Sequence, residues 1–179
     1  VVDLDGNVVE GDLRPSSDTP THVRLYRAFE CAGGICHTHS TYATMFAQAR
    51  LALVPLGTTH ADCFAGPVPV TRPLTPEEVA GQYEAAAADV IVECFQAGNI
   101  DPAAVPAVLA AGHGPFTWGA SAGEAVDCCV ALEAVAKMAI GTRLLRPDAP
   151  ELEDYVLAKH QSRKHGPKAY YGQTANPKS

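Results

Sequence analysis

Apolar positions in this chain change period from two to three or four and back, and each change marks an element. Two short β-prone runs around Asp5-Gly6-Asn7 predict a hairpin from Val1 to Gly11, and a chain that opens inside a hairpin is expected to continue upstream. The polar loop Arg14-Pro15-Ser16-Ser17-Asp18 leads into a helix running to Phe29, with Thr19 as cap and Pro20 in the first turn. Gly33 to Ser40 is apolar and β-branched enough for a short buried strand, and Thr41 to Ala49 reads as a helix. Leu51 to Pro55 and Val68 to Val70 predict two further strands around a weakly helical stretch from Gly57 to Phe64.

Thr75-Pro76-Glu77-Glu78 combines a cap, a first-turn proline and a capping-box glutamate, and predicts a helix to Ala88 that continues to Phe95. Pro106 to Ala111 predicts an apolar strand, with Gly114 to Trp118 continuing it past His113. Ser121 to Leu145 predicts a long helix that is apolar on more than one face, hence buried or in an interface. A last helix spans Pro150 to Lys164, followed by a loose polar tail. With no internal repeat and no linker, the 179 residues predict one α/β domain, a mixed central sheet flanked by helices.

Composition then narrows the function classes. Apolar residues make up 47% and charged residues 18%, a balance that builds a core and holds no disordered tract. The net charge of −7 argues against a nucleic-acid partner, which calls for a basic face. No apolar run approaches a membrane span and the N-terminus lacks a signal-sequence pattern, so the expectation is a cytoplasmic protein with no membrane partner. The six cysteines (Cys31, Cys36, Cys63, Cys94, Cys128, Cys129) include no CxxC pair and read as reduced, buried thiols.

The chemistry concentrates on histidines. On a strand, His37 and His39 point to the same face, about 7 Å apart at their bases, while Cys36 points to the other. His113, between two glycines after an apolar run, is placed to be a third ligand, and three imidazoles with an open position suit a catalytic divalent metal. By itself an HxH pair is weak evidence, because a histidine at a strand end more often just satisfies a hydrogen bond. Other residues also have ordinary readings. Asp18 reads as a helix-start residue and Asp62 as a helix-turn carboxylate, Tyr170-Tyr171 as surface packing, and His22 and His60 as structural. Ser16 and Ser17 suit either loop solvation or a phosphate ahead of a helix N-terminus. His160, Arg163, Lys164 and His165 form a basic cluster that reads as a solvated helix end or as facing an anionic substrate.

Five strings, taken in order, carry a resemblance over almost the whole chain. They are Arg14-Pro-Ser-Ser-Asp-Thr-Pro-Thr-His22, Gly33-Gly-Ile-Cys-His-Thr-His-Ser40, Gly57-Thr-Thr-His-Ala-Asp62, Gly112-His-Gly-Pro-Phe-Thr-Trp-Gly119 and Arg163-Lys-His-Gly-Pro-Lys-Ala-Tyr-Tyr-Gly-Gln173. Together they resemble the class II aldolase/epimerase family, and within it the L-ribulose-5-phosphate 4-epimerases. The family's N-terminal segment, whose glycine- and serine-containing loops help bind phosphate, has no counterpart in these residues.

The resemblance implies a metal held by His37, His39 and His113 with Asp18 as a carboxylate ligand or near-ligand, and zinc suits that donor set. It implies interconversion of L-ribulose 5-phosphate and D-xylulose 5-phosphate by breaking and re-forming the C3–C4 bond, because C4 is not alpha to the carbonyl and simple deprotonation cannot invert it. The metal would act as a Lewis acid for the resulting enediolate. Asp62 and Tyr171 would move protons on and off the C4 oxygen from opposite sides, and Ser16 and Ser17 would bind the phosphate. The resemblance also implies a ring-shaped homotetramer with active sites between subunits, the tyrosine coming from a neighbouring chain. Related sugar-phosphate aldolases share the histidines but tend to carry Glu after the serine pair, so Asp18 favours the epimerase. Two other readings stand beside it: a class II aldolase of the fuculose-phosphate type, and a non-catalytic metal-binding homologue.

Overall fold

A computed structural model describes residues 1–165, 167 and 169–171, so the tail string expected around and beyond Tyr171 lies partly outside the described residues. The elements are α1 (Thr19–Ala28), β1 (Gly34–His37), α2 (Thr41–Ala49), α3 (Thr58–Ala61), α4 (Pro76–Ala80), α5 (Tyr83–Gly98), β2 (Ala107–Leu109), β3 (Pro115–Gly119), α6 (Ala122–Leu145) and α7 (Asp154–His165). The three strands form an antiparallel sheet in the order β1-β3-β2, with His37 opposite Phe116 and Leu109 opposite Pro115. The parallel component is one isolated bridge, Val70 to Leu109.

Several expected elements are shorter or divided. The strands expected at 51–55 and 68–70 meet only at the Leu53–Val68 bridge, and the N-terminal hairpin only at Val2–Val8. The expected strand past His113 is instead a β2–β3 hairpin that turns at Gly112, whose φ of +72° lies in the left-handed region that glycine adopts without penalty. The helix from Thr75 stops at Gly81 and restarts as α5, although its capping box forms as expected: Thr75 accepts from the Glu78 N–H, and Glu78 accepts in return. The last helix begins at Asp154 rather than Pro150, because the preceding segment is tied to Pro55 through the Leu152 N–H at 2.8 Å. α1 is capped at Asp18, one residue earlier than expected, with Thr19 its first helical residue.

Alternation along the strands divides the core in two. On one side of the sheet Val108, Phe116 and Trp118 pack with Leu25 of α1, Phe29 just after it, and Ile91 and Phe95 of α5. On the other, Ala107 and Leu109 pack with Ala43 and Ala47 of α2 and Leu132, Val135 and Ala136 of α6. Thr117, on this second face, donates its buried hydroxyl to the Ala125 carbonyl at 2.9 Å. The Trp118 ring N–H donates to the Pro102 carbonyl at 2.8 Å, so the largest core side chain has its polar atom satisfied. Among the described residues no helix is long and apolar enough to cross a membrane.

Candidate metal centre

Three pieces of backbone converge beside α2. His37 ends β1, His39 follows two residues later at the entrance to α2, and His113 occupies the β2–β3 turn. Because β1 pairs with β3 and the turn immediately precedes β3, the antiparallel register carries His113 to the end of β1 where the other two histidines lie. Their ring centroids are 5.2 Å (His37–His39), 4.8 Å (His37–His113) and 4.8 Å (His39–His113) apart. One ligand nitrogen from each lies within 4.8 Å of the others, which suits a single divalent ion.

The protonation states suit it too. His37 Nδ1 lies 2.9 Å from the Pro115 carbonyl oxygen, which can only accept, so Nδ1 carries the proton and Nε2 keeps its lone pair. Phe116 stacks on the His37 ring at 4.0 Å and 13°, fixing its plane. Burial lowers the proton affinity of His37, and burial together with the neighbouring His37 and His39 lowers that of His113. The Asp18 carboxylate opposes both shifts. Both rings are therefore held towards the neutral form that binds a metal.

The approach is close enough to demand glycine at 114. A Cβ there would lie 2.7 Å from the Thr38 carbonyl oxygen and 3.2 Å from His39 Cδ2. No periodicity reports this constraint, although Gly114 beside His113 was the available signal.

The remaining sequence candidates fall in two places. Asp18 is half-buried at the N-cap of α1 and near enough to act electrostatically on His37, His113 and His22, but stands outside the group whose ligand atoms lie within 4.8 Å. Ser16 and Ser17 are exposed just before it. The Ser16 hydroxyl accepts the Asp18 N–H at 3.2 Å, and both serines border a 450 Å³ depression that Arg14, Arg24 and Arg27 also line. Arg24 and Arg27 are already paired there with Asp89 and Asp5.

Asp62, at the C-cap of α3, is held by α7. His160 Nδ1 donates to Oδ1 at 2.8 Å, and Arg163 Nη2 donates to Oδ2 at 2.9 Å. Burial alone would raise the Asp62 carboxyl, but the bonds from Arg163 and His160 outweigh it and hold the group below the ordinary carboxylate range. The half-exposed Tyr171 ring lies under the same guanidinium at 4.3 Å, and the Tyr171 backbone N–H donates to the Arg163 carbonyl at 3.1 Å. The basic cluster of α7 thus folds onto Asp62 within one chain. Its spacing at 160 and 163 places two donors on one helix face, but their partner is not visible in the sequence.

All six cysteines are free thiols, one buried and five partly buried, and burial pushes Cys128 up to about 12. Cys36 lies on the α6 side of β1 towards Cys129, away from the histidines as the strand alternation requires.

The sequence profile of the class II aldolase and adducin N-terminal domain matches residues 1–140. The chain belongs to this class II aldolase family. The matched segment contains the three histidines, Ser16, Ser17, Asp18 and Asp62, but not α7 or Tyr171. Among solved structures, an L-fuculose 1-phosphate aldolase is 25% identical with a TM-score of 0.71, over 90% of this chain and 69% of that one. YgbL from Escherichia coli, a candidate aldolase/epimerase/decarboxylase, is 26% identical with a TM-score of 0.65, over 90% and 72%. The L-fuculose-1-phosphate aldolase of Thermus thermophilus is 25% identical with a TM-score of 0.58, over 85% and 72%. The fold is thus the α/β fold of class II aldolases.

Proposed function

We propose that this class II aldolase-family chain is a metal-dependent epimerase that interconverts L-ribulose 5-phosphate and D-xylulose 5-phosphate. The observation that carries the reading is the histidine triad, whose three ligand nitrogens lie within 4.8 Å of one another, with the Asp18 carboxylate acting on two of them. His37, His39 and His113 would hold a divalent metal, zinc by the nature of the donors, with the Asp18 carboxylate as a near-ligand. A metal bound there supplies Lewis acidity to the substrate's oxygens.

The protein's own groups do the rest. Asp62, kept ionised by Arg163 and His160, takes the proton of the C4 hydroxyl as the C3–C4 bond opens. Tyr171 returns a proton to the aldehyde oxygen after rotation has presented its other face. Ser16 and Ser17 bind the phosphate with hydroxyls and N–H groups ahead of α1. The working site is formed between subunits of a homotetramer, where Tyr171 meets the triad of a neighbouring chain.

A second reading is aldol cleavage with release of both fragments, and the likeness to two L-fuculose 1-phosphate aldolases favours it. Asp18, where such aldolases tend to carry glutamate, favours epimerisation. Assay of the zinc-loaded protein on each substrate separates the two. Formation of D-xylulose 5-phosphate from L-ribulose 5-phosphate, lost on chelation and restored by zinc, supports the epimerase. Aldehyde release from L-fuculose 1-phosphate without epimerisation would replace it with the aldolase.

A further inference from the structure

The N-terminus of α2, which follows His39 directly, is not held by its own residues. Ser40 stands at the N-cap yet makes no side-chain cap bond, and its hydroxyl is buried without a partner, as is that of Thr44 one turn on. The N–H groups of its first turn are taken from across the fold by Glu133 of α6. The Tyr42 N–H lies 3.0 Å from each carboxylate oxygen, and the Ala43 N–H donates to Oε2 at 2.9 Å. A carboxylate here satisfies otherwise free donors and opposes the positive end of the helix dipole. Lys137, one turn along α6, adds a cation 5.4 Å above the Tyr42 ring.

The other end of α2 reaches the remaining ligand loop. The Ala47 carbonyl accepts the Gly112 N–H at 2.8 Å, next to His113 in the β2–β3 turn. One rigid helix therefore joins the backbone of His39 at its start to the backbone of His113 at its last turn, and Glu133 anchors the start.

We propose that Glu133 is a positioning residue of the metal centre: by clamping the α2 N-terminus it sets the spacing of His39 and His113, and through that the affinity for the ion. The proposal rests on the metal-centre reading of the triad. Outer groups that orient ligands typically contribute about 10- to 100-fold in metal affinity. Glu133→Ala removes both acceptors, whereas Glu133→Gln keeps the shape and one oxygen.

The test is titration of zinc alone into metal-free protein, with a competing chromophoric chelator to fix the affinity and thermal melting to follow stability. Arg143→Ala serves as the structural control. It removes bonds to the Pro147 and Ala149 carbonyls at the far end of α6, so it should lower the melting temperature and leave zinc affinity unchanged. Expected is a loss of about 10-fold or more in zinc affinity for Glu133→Ala and a smaller loss for Glu133→Gln. Glu133→Gln keeps the test open if the alanine variant does not fold. Wild-type affinity in Glu133→Gln and Glu133→Ala, or a loss no larger than that of Arg143→Ala, overturns the proposal and leaves the triad standing. Failure of the wild type itself to bind zinc overturns the triad and the proposal together.

Discussion

Arg163 grips Asp62 with a forked ion pair, Nη2 donating at 3.1 Å to one carboxylate oxygen and 2.9 Å to the other. The pair is only partly exposed, and its guanidinium also covers Tyr171 at 4.3 Å. One guanidinium therefore touches both side chains: it keeps the Asp62 carboxylate ionised and packs on the Tyr171 ring.

Replacing Arg163 by glutamine should raise the Asp62 pKa, because the Arg163 bonds are what outweigh its burial. The acid limb of the kcat/KM profile then moves to higher pH. Loss of the partner should also lower stability near neutral pH. In the wild type this contribution is present above the unfolded value of 3.8 and is lost as pH falls through the lower folded value. An acid limb that does not move would remove Asp62 from the rate-limiting proton transfer.

Asp62→Asn and Tyr171→Phe should each lose epimerisation by about 100-fold or more while binding one metal per chain as tightly as the wild type. Neither side chain belongs to the group of ligand nitrogens. Turnover and metal content measured on the same samples check this. Unchanged turnover in both variants would refute the assigned proton-transfer roles.

Gly114→Ala tests the packing of the triad without replacing a ligand, since its Cβ would press on the Thr38 carbonyl and on the edge of the His39 ring. Its Cβ would meet the Thr38 carbonyl oxygen at 2.7 Å, a backbone atom that moves only if the turn into α2 moves. The expected result is zinc affinity lowered by about 10-fold or more, with roughly 1–3 kcal/mol of lost stability from overpacking. Retained affinity would mean that the turn relaxes freely.

His60 predicts acid sensitivity away from the metal centre. It is buried, its Nε2–H donates to the Gly66 carbonyl at 2.8 Å, and its Nδ1 has no partner. Burial holds its pKa below 6.5, against a smaller opposing effect of the Gly66 bond. The unfolded chain therefore takes up a proton before the folded one does. Stability is full above about 6.5 and declines as pH falls below it, by up to about 1.4 kcal/mol per pH unit. Urea melts at pH 7.5 and 5.5 should show a steeper loss for the wild type than for His60→Gln. Equal losses would mean that His60 does not contribute.

Several of these features were legible before any folding was considered, and some were not. The start of α4 follows from the chemistry of Thr75, Pro76 and Glu78, whereas the strand expected to carry both His37 and His39 ends at His37, and His39 lies on the segment leading into α2. The break at Gly81 and the turn at Gly112 were harder to read, because a glycine permits a turn without requiring one. The short runs at 51–55 and 68–70 looked like strands, but too few neighbouring residues align there to extend a ladder beyond single bridges.

The sequence by itself determined the imidazole donors, the opposite directions of Cys36 and His37 and the long apolar helix α6, since each depends on residues near one another in the chain. Only the tertiary structure decided that His113 completes the group, that the Pro115 carbonyl selects the His37 tautomer, that Arg163 and His160 turn onto Asp62, and that Glu133 caps α2. The hydrogen bonds among these residues span long stretches of chain, from 78 positions between His37 and Pro115 to 101 between Asp62 and Arg163. Local period cannot encode such contacts; sheet register and helix packing bring them together.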